Sequence, residues 1–93
     1  MALLHDDEID RALADRPHWR RAGAELVLER TVADFAAAIA YVNRVAEVAE
    51  ARDHHPDLEV HGWNTVRLRV STHSEGGITA ADLALVAAID ELG

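Results

Sequence analysis

The sequence contains no cysteine. Disulfide staples, thiol nucleophiles and thiolate metal sites are therefore excluded from the start. Aromatic residues are nearly as scarce, with one Phe, one Tyr and two Trp making 4% of the chain, so each has to be explained by packing or by a site. Basic residues are in the minority, 9 Lys+Arg against 17 Asp+Glu, for a formal net charge of −8. That balance opposes non-specific binding to nucleic acid, which needs cations to displace phosphate counterions. It leaves room for a local basic patch. No apolar run approaches the roughly 18 residues of a membrane-spanning helix, and the first residues lack the apolar core of a signal peptide. A soluble, cytoplasmic protein with no membrane segment is expected. The 93 residues correspond to one domain, 1–93. A chain of this size buries roughly 60–70% of its unfolded surface, enough for one modest core.

Apolar residues make up 49% of the chain, much of it alanine. A first helix is expected over Asp6 to Ala14, with Asp6 as its cap, Asp7 and Glu8 at its positive end, and Ile9, Ala12 and Leu13 on one face. Pro17 breaks it. Short strands follow from Trp19 to Arg30, with a turn at Ala22 and Gly23. In Glu25 to Glu29, Leu26 and Leu28 alternate with Glu25 and Glu29, and Val27 lies on the otherwise polar face. A second helix is expected from about Val32 to Ala51, with an apolar stripe of Phe35, Ile39, Val42, Ala46 and Ala49 and Val45 beside it. Leu58 and Val60 mark a third strand. Val66, Leu68 and Val70 mark a fourth, with Arg67 and Arg69 on its other face. Thr79 and Asp82 form a cap-like pair before the last helix. The order is α-β-β-α-β-β-α. It predicts an α+β fold in which a four-stranded antiparallel sheet carries its three helices on one face. The uncovered face, with Arg67 and Arg69, is a candidate oligomer surface.

Six histidines are many for this length, and four lie between Asp53 and His73. His54 and His55 are adjacent, so their side chains diverge. Pro56 forces His55 toward an extended conformation. The pair therefore sits where the second helix gives way to the third strand. His73 follows the fourth strand. If those two strands pair antiparallel, the start of one lies beside the end of the other, and His73 comes near His54 and His55. Glu50, one helical turn before His54, is placed to orient an imidazole. Three readings are open on these residues alone: surface or capping histidines, a zinc site, and proton transfer near neutral pH. The zinc reading is weakened because adjacent histidines rarely converge on one ion and no i, i+4 pair exists among the three.

The run from Glu50 to Asp82 also resembles a family signature. Glu50 is followed after three residues by His54-His55-Pro56, after six more by Trp63, after nine by His73 and after eight by Asp82. The Thr72-His73 step, the Gly77-Ile78-Thr79 segment, Trp19 and the Asp34-Phe35 helix entry fit the same pattern. This spacing resembles the pterin-4a-carbinolamine dehydratases over about residues 15 to 93. One departure is the longer loop before Trp63, with Gly62 and a Trp where many relatives have Tyr.

The resemblance implies a four-stranded antiparallel sheet with three helices on one side, in agreement with the order read from the residues. It implies dehydration of 4a-hydroxytetrahydropterin to quinonoid dihydropterin, which recycles the pterin of aromatic amino-acid hydroxylases. No metal or cofactor is implied; the pterin is the substrate. His54 and His73 would be the acid/base pair, and His55 would bind and orient the pterin. Glu50 and Asp82 would orient the histidines or touch the pterin, although a carboxylate at Asp82 suits a helix start whatever the chemistry. Pro56 and Thr72 join the site as its immediate neighbours. Trp19 and Trp63 would wall the pocket, or pack in the core. His5, His18 and His61 match no signature position and are read as surface residues, His61 with an outside claim to the pocket rim. Relatives assemble as dimers or tetramers, so a homodimer or homotetramer is expected, with no nucleic-acid or membrane partner. Animal relatives also serve as dimerisation cofactors of a homeodomain transcription factor, and this gives a second, non-catalytic reading of the scaffold.

Overall fold

A computed structural model describes residues 2–93. The elements run α1 (Asp6–Leu13), β1 (Trp19–Ala22), β2 (Glu25–Thr31), α2 (Phe35–Arg52), β3 (Asp57–His61), β4 (Thr65–Val70), a single 3₁₀ turn (His73–Glu75) and α3 (Ala80–Asp90). The four strands form one antiparallel sheet in the order β1-β2-β4-β3. This is the α+β arrangement expected from the sequence. Because β2 and β3 both flank β4, α2 has to carry the chain over the strand that will later fill the gap.

The alternation in the strands sorts the sheet into two faces. Trp19, Leu28 and Leu68 form one cross-strand row on the inner face, and Leu26 and Val70 a second. These residues join Ile9 of α1, Ala38, Tyr41, Val45 and Ala49 of α2, and Leu85, Val86 and Ile89 of α3 in one buried core. Arg67 and Arg69 lie on the opposite face, as expected. There Arg67 bridges Glu29 and Glu59 at 3.2 Å each. Val27 lies on that polar face yet is buried. Its cross-strand partners are Arg20 and Arg69, whose aliphatic stems are suited to cover it.

Three local expectations are corrected. Asp6 does not cap α1. His5 occupies that position, its backbone N–H is taken by Glu8 Oε1 at 2.9 Å, and Asp6 pairs with Arg21 at 2.6 Å. The second helix starts at Phe35, not Val32, because Val32 is still held to the sheet end. Its N–H donates to Asn64 O at 2.9 Å and its carbonyl accepts from Asn64 Nδ2 at 3.0 Å. Asp34 then caps the helix, accepting from Ala37 N at 2.7 Å. The core-facing stripe of α2 is Ala38, Tyr41, Val45 and Ala49, while Phe35 and Ile39 remain 54% and 38% exposed. An alanine-rich helix carries apolar residues on more than one stripe. The small side chains let it lie close on the sheet, so the larger Phe35 and Ile39 do not mark the buried side.

Candidate active site

The end of α2 determines where two histidines point. Asp53 adopts a left-handed conformation, φ 50°, and the His54 N–H returns to Ala49 O at 3.1 Å. This closes the helix with the wrapped hydrogen bond usual of a left-handed terminus. Pro56 then favours an extended His55. The two rings leave the chain in different directions. His54 Nε2 lies 2.6 Å from Asp82 Oδ1, and His55 Nε2 lies 2.6 Å from Glu50 Oε1. Glu50 thus serves His55 rather than His54, because the left-handed turn at Asp53 breaks the i, i+4 geometry.

Asp82 stands in the first turn of α3 and is fully buried. Its Oδ2 accepts the Thr79 backbone N–H at 2.8 Å and the Thr72 hydroxyl at 2.7 Å. Thr79 Oγ1 accepts from Ala81 N at 3.2 Å and lies 2.9 Å from Thr72 Oγ1. The cap-like pair expected at Thr79 and Asp82 therefore exists, and it extends through Thr72 into a network that ends on His54. His54 is only 18% exposed in its side chain, but its Nδ1 has no partner among the described residues and is not sealed from solvent.

His73 is the residue after Thr72 and opens the 3₁₀ turn. Thr72 and Gly77 hydrogen-bond across this turn, from Thr72 N to Gly77 O at 2.8 Å. Gly76 closes it at φ 72°, a conformation that favours glycine. His73 is exposed, with no ring partner among the described residues. The β3–β4 pairing, Asp57 opposite Arg69, brings the His54–Pro56 corner and the Thr72–His73 corner to the same end of the sheet. Glu50, His54, His55, Pro56, Thr72, His73 and Asp82 are thus gathered in one region.

The two tryptophans are not. Trp63 sits at the tip of the β3–β4 hairpin, the length of β3 from the histidines, roughly 16 Å at strand rise. It is 61% exposed and left-handed at φ 64°. Trp19 is buried in the core on β1, three strands from β3, and its Nε1 donates to Asp90 Oδ1 at 2.8 Å. His61 is also remote, on the outer face. Its Nε2 is buried 3.6 Å from Glu29, beyond hydrogen-bond reach. Thr79 is the residue that the sequence reading left out of the site. Its capping signal was legible, but the bond from its hydroxyl to Thr72 depends on the tertiary fold.

A cavity of about 580 Å³ opens at the other end of α3, lined by Arg16, Arg30, Tyr41 and Asp90 among others, and by none of the signature histidines. Two of its arginines are already partnered. Arg16 pairs with Asp90 at 3.0 Å, and Arg30 donates to Gly93 O at 2.6 Å. Burial pushes the Tyr41 phenol above its ordinary value, against the opposing effect of Arg30. At the histidine end, by contrast, His54 Nδ1 and the His73 ring have no partner among the described residues. Among the described residues no cluster of three or more His, Asp or Glu is placed to hold a metal ion, and no helix is long and apolar enough to cross a membrane. An imidazole backed by a buried carboxylate, with a second imidazole close by in the fold, is an arrangement able to take a proton at one atom of a bound molecule and deliver one at another.

Residues 2–92 match the family model described as "Pterin 4 alpha carbinolamine dehydratase". A Nocardia farcinica protein named "Putative pterin-4-alpha-carbinolamine dehydratase" is 49% identical over 90 residues, covering 97% of this chain and 94% of that one. A Chloroflexus aurantiacus protein of the same name is 48% identical over 92 residues, covering 99% and 98%. Among solved structures, the "transcriptional coactivator/pterin dehydratase" from Brucella melitensis superposes with a TM-score of 0.88 at 26% identity over 98% of both chains. A pterin dehydratase-like protein identified as a RuBisCO assembly factor shares the fold, with a TM-score of 0.65 at 21% identity over 80% of this chain and 87% of that one.

Proposed function

The chain belongs to the pterin 4 alpha carbinolamine dehydratase family, and from that premise we propose that it dehydrates 4a-hydroxytetrahydropterin to quinonoid dihydropterin by histidine acid–base catalysis. The C4a–O bond breaks as the departing hydroxide receives a proton and leaves as water. N5 loses its proton, and the freed electron pair completes the C4a=N5 bond. Nothing is oxidised or reduced, so the reaction calls for one proton donor and one acceptor and for no resident cofactor or metal. His54 and His73 are the proposed pair. His55, steadied by Glu50, is the proposed pterin-orienting group. The observation that carries this reading is the 2.6 Å contact of His54 with the buried Asp82, whose other oxygen is bonded to the residue before His73.

The proposed setting is the cytoplasm, with the product returning to an aromatic amino-acid hydroxylase. Assembly as a homodimer or homotetramer belongs to the same reading and is supported by exposed Phe35 and Ile39 along α2. A purely protein-binding scaffold has no need of the His54–Asp82 pair and is the weaker reading. The test is stopped-flow dehydration of freshly generated 4a-hydroxytetrahydropterin. A rate well above the uncatalysed one is expected; a rate equal to it would sink the proposal.

A further inference from the structure

The hydrogen bonds behind His54 have a direction. Thr72 has one hydroxyl proton. With that proton given to Asp82 Oδ2 at 2.7 Å, the 2.9 Å contact between the two threonines needs the Thr79 hydroxyl as donor. Thr79 Oγ1 in turn accepts from Ala81 N. The chain runs Ala81 N–H to Thr79, Thr79 to Thr72 and Thr72 to Asp82, with the Thr79 backbone N–H arriving at the same Oδ2. Two donors on one oxygen require an acceptor there and fix the rotation of the carboxyl group. Oδ1 is left aimed at His54. An ionised carboxylate only accepts, so the 2.6 Å contact is completed by a proton on Nε2 of the imidazole. The neutral ring then carries its lone pair on Nδ1, the nitrogen with no partner among the described residues.

We propose that His54 works through Nδ1 as the base, and that Thr72 and Thr79 are positioning residues that act through Asp82 to hold its ring in the Nε2–H tautomer. The inference rests on the dehydratase reading. Nδ1 takes the proton of N5, whose bonding pair becomes the C4a=N5 bond, and the hydroxide leaves C4a with a proton from His73. The imidazolium formed at His54 stays in contact with Asp82. An orienting carboxylate behind a histidine base has the same role in the serine hydrolases, where replacing it by Asn leaves the wrong tautomer.

The test reads the tautomer directly, by two-bond ¹⁵N–¹H spectra of the imidazoles, beside the dehydration kinetics. Wild-type protein is expected to show His54, assigned by its loss in His54→Ala, with Nε2 protonated and Nδ1 bare. In Asp82→Asn the two donors still demand the side-chain oxygen. The amide NH₂ therefore faces His54, the ring switches to Nδ1–H, and kcat falls by roughly 10²-fold or more with KM little changed. Thr72→Val is expected to lower kcat roughly fivefold to tenfold and to mix the tautomers, and Thr72→Ser to restore both. A wild-type ring protonated on Nδ1 would overturn the proposal even if no variant folds. So would an Asp82→Asn protein whose tautomer switches while kcat holds. Absence of dehydration in wild type, with the Nε2–H tautomer present, would instead strike the functional reading.

Discussion

Asp82 lies in the first turn of α3 and Asp90 closes its last, about two turns further along. Each is hydrogen-bonded to side chains from distant parts of the chain. Asp90 receives Trp19 Nε1 at 2.8 Å and Arg16 at 3.0 Å. Both partners are donors only, so the network stops there, and its effect is to pin β1 and the segment before it to the end of α3. Asp82 receives two donors of its own and then contacts His54. Histidine has a second nitrogen, which in the proposed reaction is the one that meets the pterin. One residue type at two ends of one helix is a clamp where its partners can only donate, and in the proposed reaction part of a relay where its last partner can pass a proton on.

The largest effect that separates the two ends is on turnover. His73→Ala is expected to reduce kcat by roughly 10²–10⁴-fold while changing stability by less than about 0.5 kcal/mol, since the ring is exposed and has no partner among the described residues. Stopped-flow rates beside thermal melts check this, and a lowered melting point with unchanged kcat would reverse the assignment. Next comes Asp90→Ala. It orphans Trp19 Nε1 and Arg16, at about 1–3 kcal/mol for the buried donor and roughly 4–24 °C in Tm, with kcat within about twofold at temperatures where the protein stays folded. A turnover loss equal to that of His73→Ala would erase the distinction between the ends.

The smallest effect comes from a third carboxylate that belongs to neither end. On the outer face the Arg67 guanidinium, hydrogen-bonded to Glu29, holds that carboxyl below the ordinary glutamate range, against a small opposing effect of burial. A depressed folded-state value contributes stability that is fully present above the unfolded glutamate value and is lost as pH falls through the folded one. Urea titrations from neutral to acid pH are expected to show a shallower acid loss in Glu29→Gln than in wild type, with dehydration unaffected at neutral pH. An identical acid limb in both proteins would remove Glu29 from the acid response.

The element order, the sheet and the meeting of His54, His55 and His73 at one sheet end were legible because they follow from local signals. Alternation gives β3 and β4, a short hairpin pairs them, and residues just outside a paired hairpin have to meet. Burial of α2 was not legible. With alanine on several stripes, periodicity cannot choose between Phe35–Ile39 and Ala38–Tyr41–Val45, and packing against the sheet decides. The tryptophans stayed open between pocket wall and core for a related reason. A large aromatic residue in a short sequence suggests a pocket wall, yet Trp19 fills the core and Trp63 stands at the far hairpin tip. The partner of Glu50 was out by one residue because the left-handed turn at Asp53, φ 50°, has no glycine to announce it.

The position of β4 between β2 and β3 also constrains the order in which the molecule can be assembled. β2 and β3 never touch, so a chain extending only to His61 can pair β1 with β2 and nothing more. The β3–β4 hairpin is built from local contacts, which close quickly. The six-residue ladder between β2 and β4 is a non-local pairing that carries more of the chain-closure entropy. His54 and His73 flank that hairpin and are brought together by its closure alone. Asp82 reaches His54 only through the packing of α3, so the approach of the two imidazoles depends on a local hairpin, whereas the carboxylate that contacts one of them depends on a non-local contact.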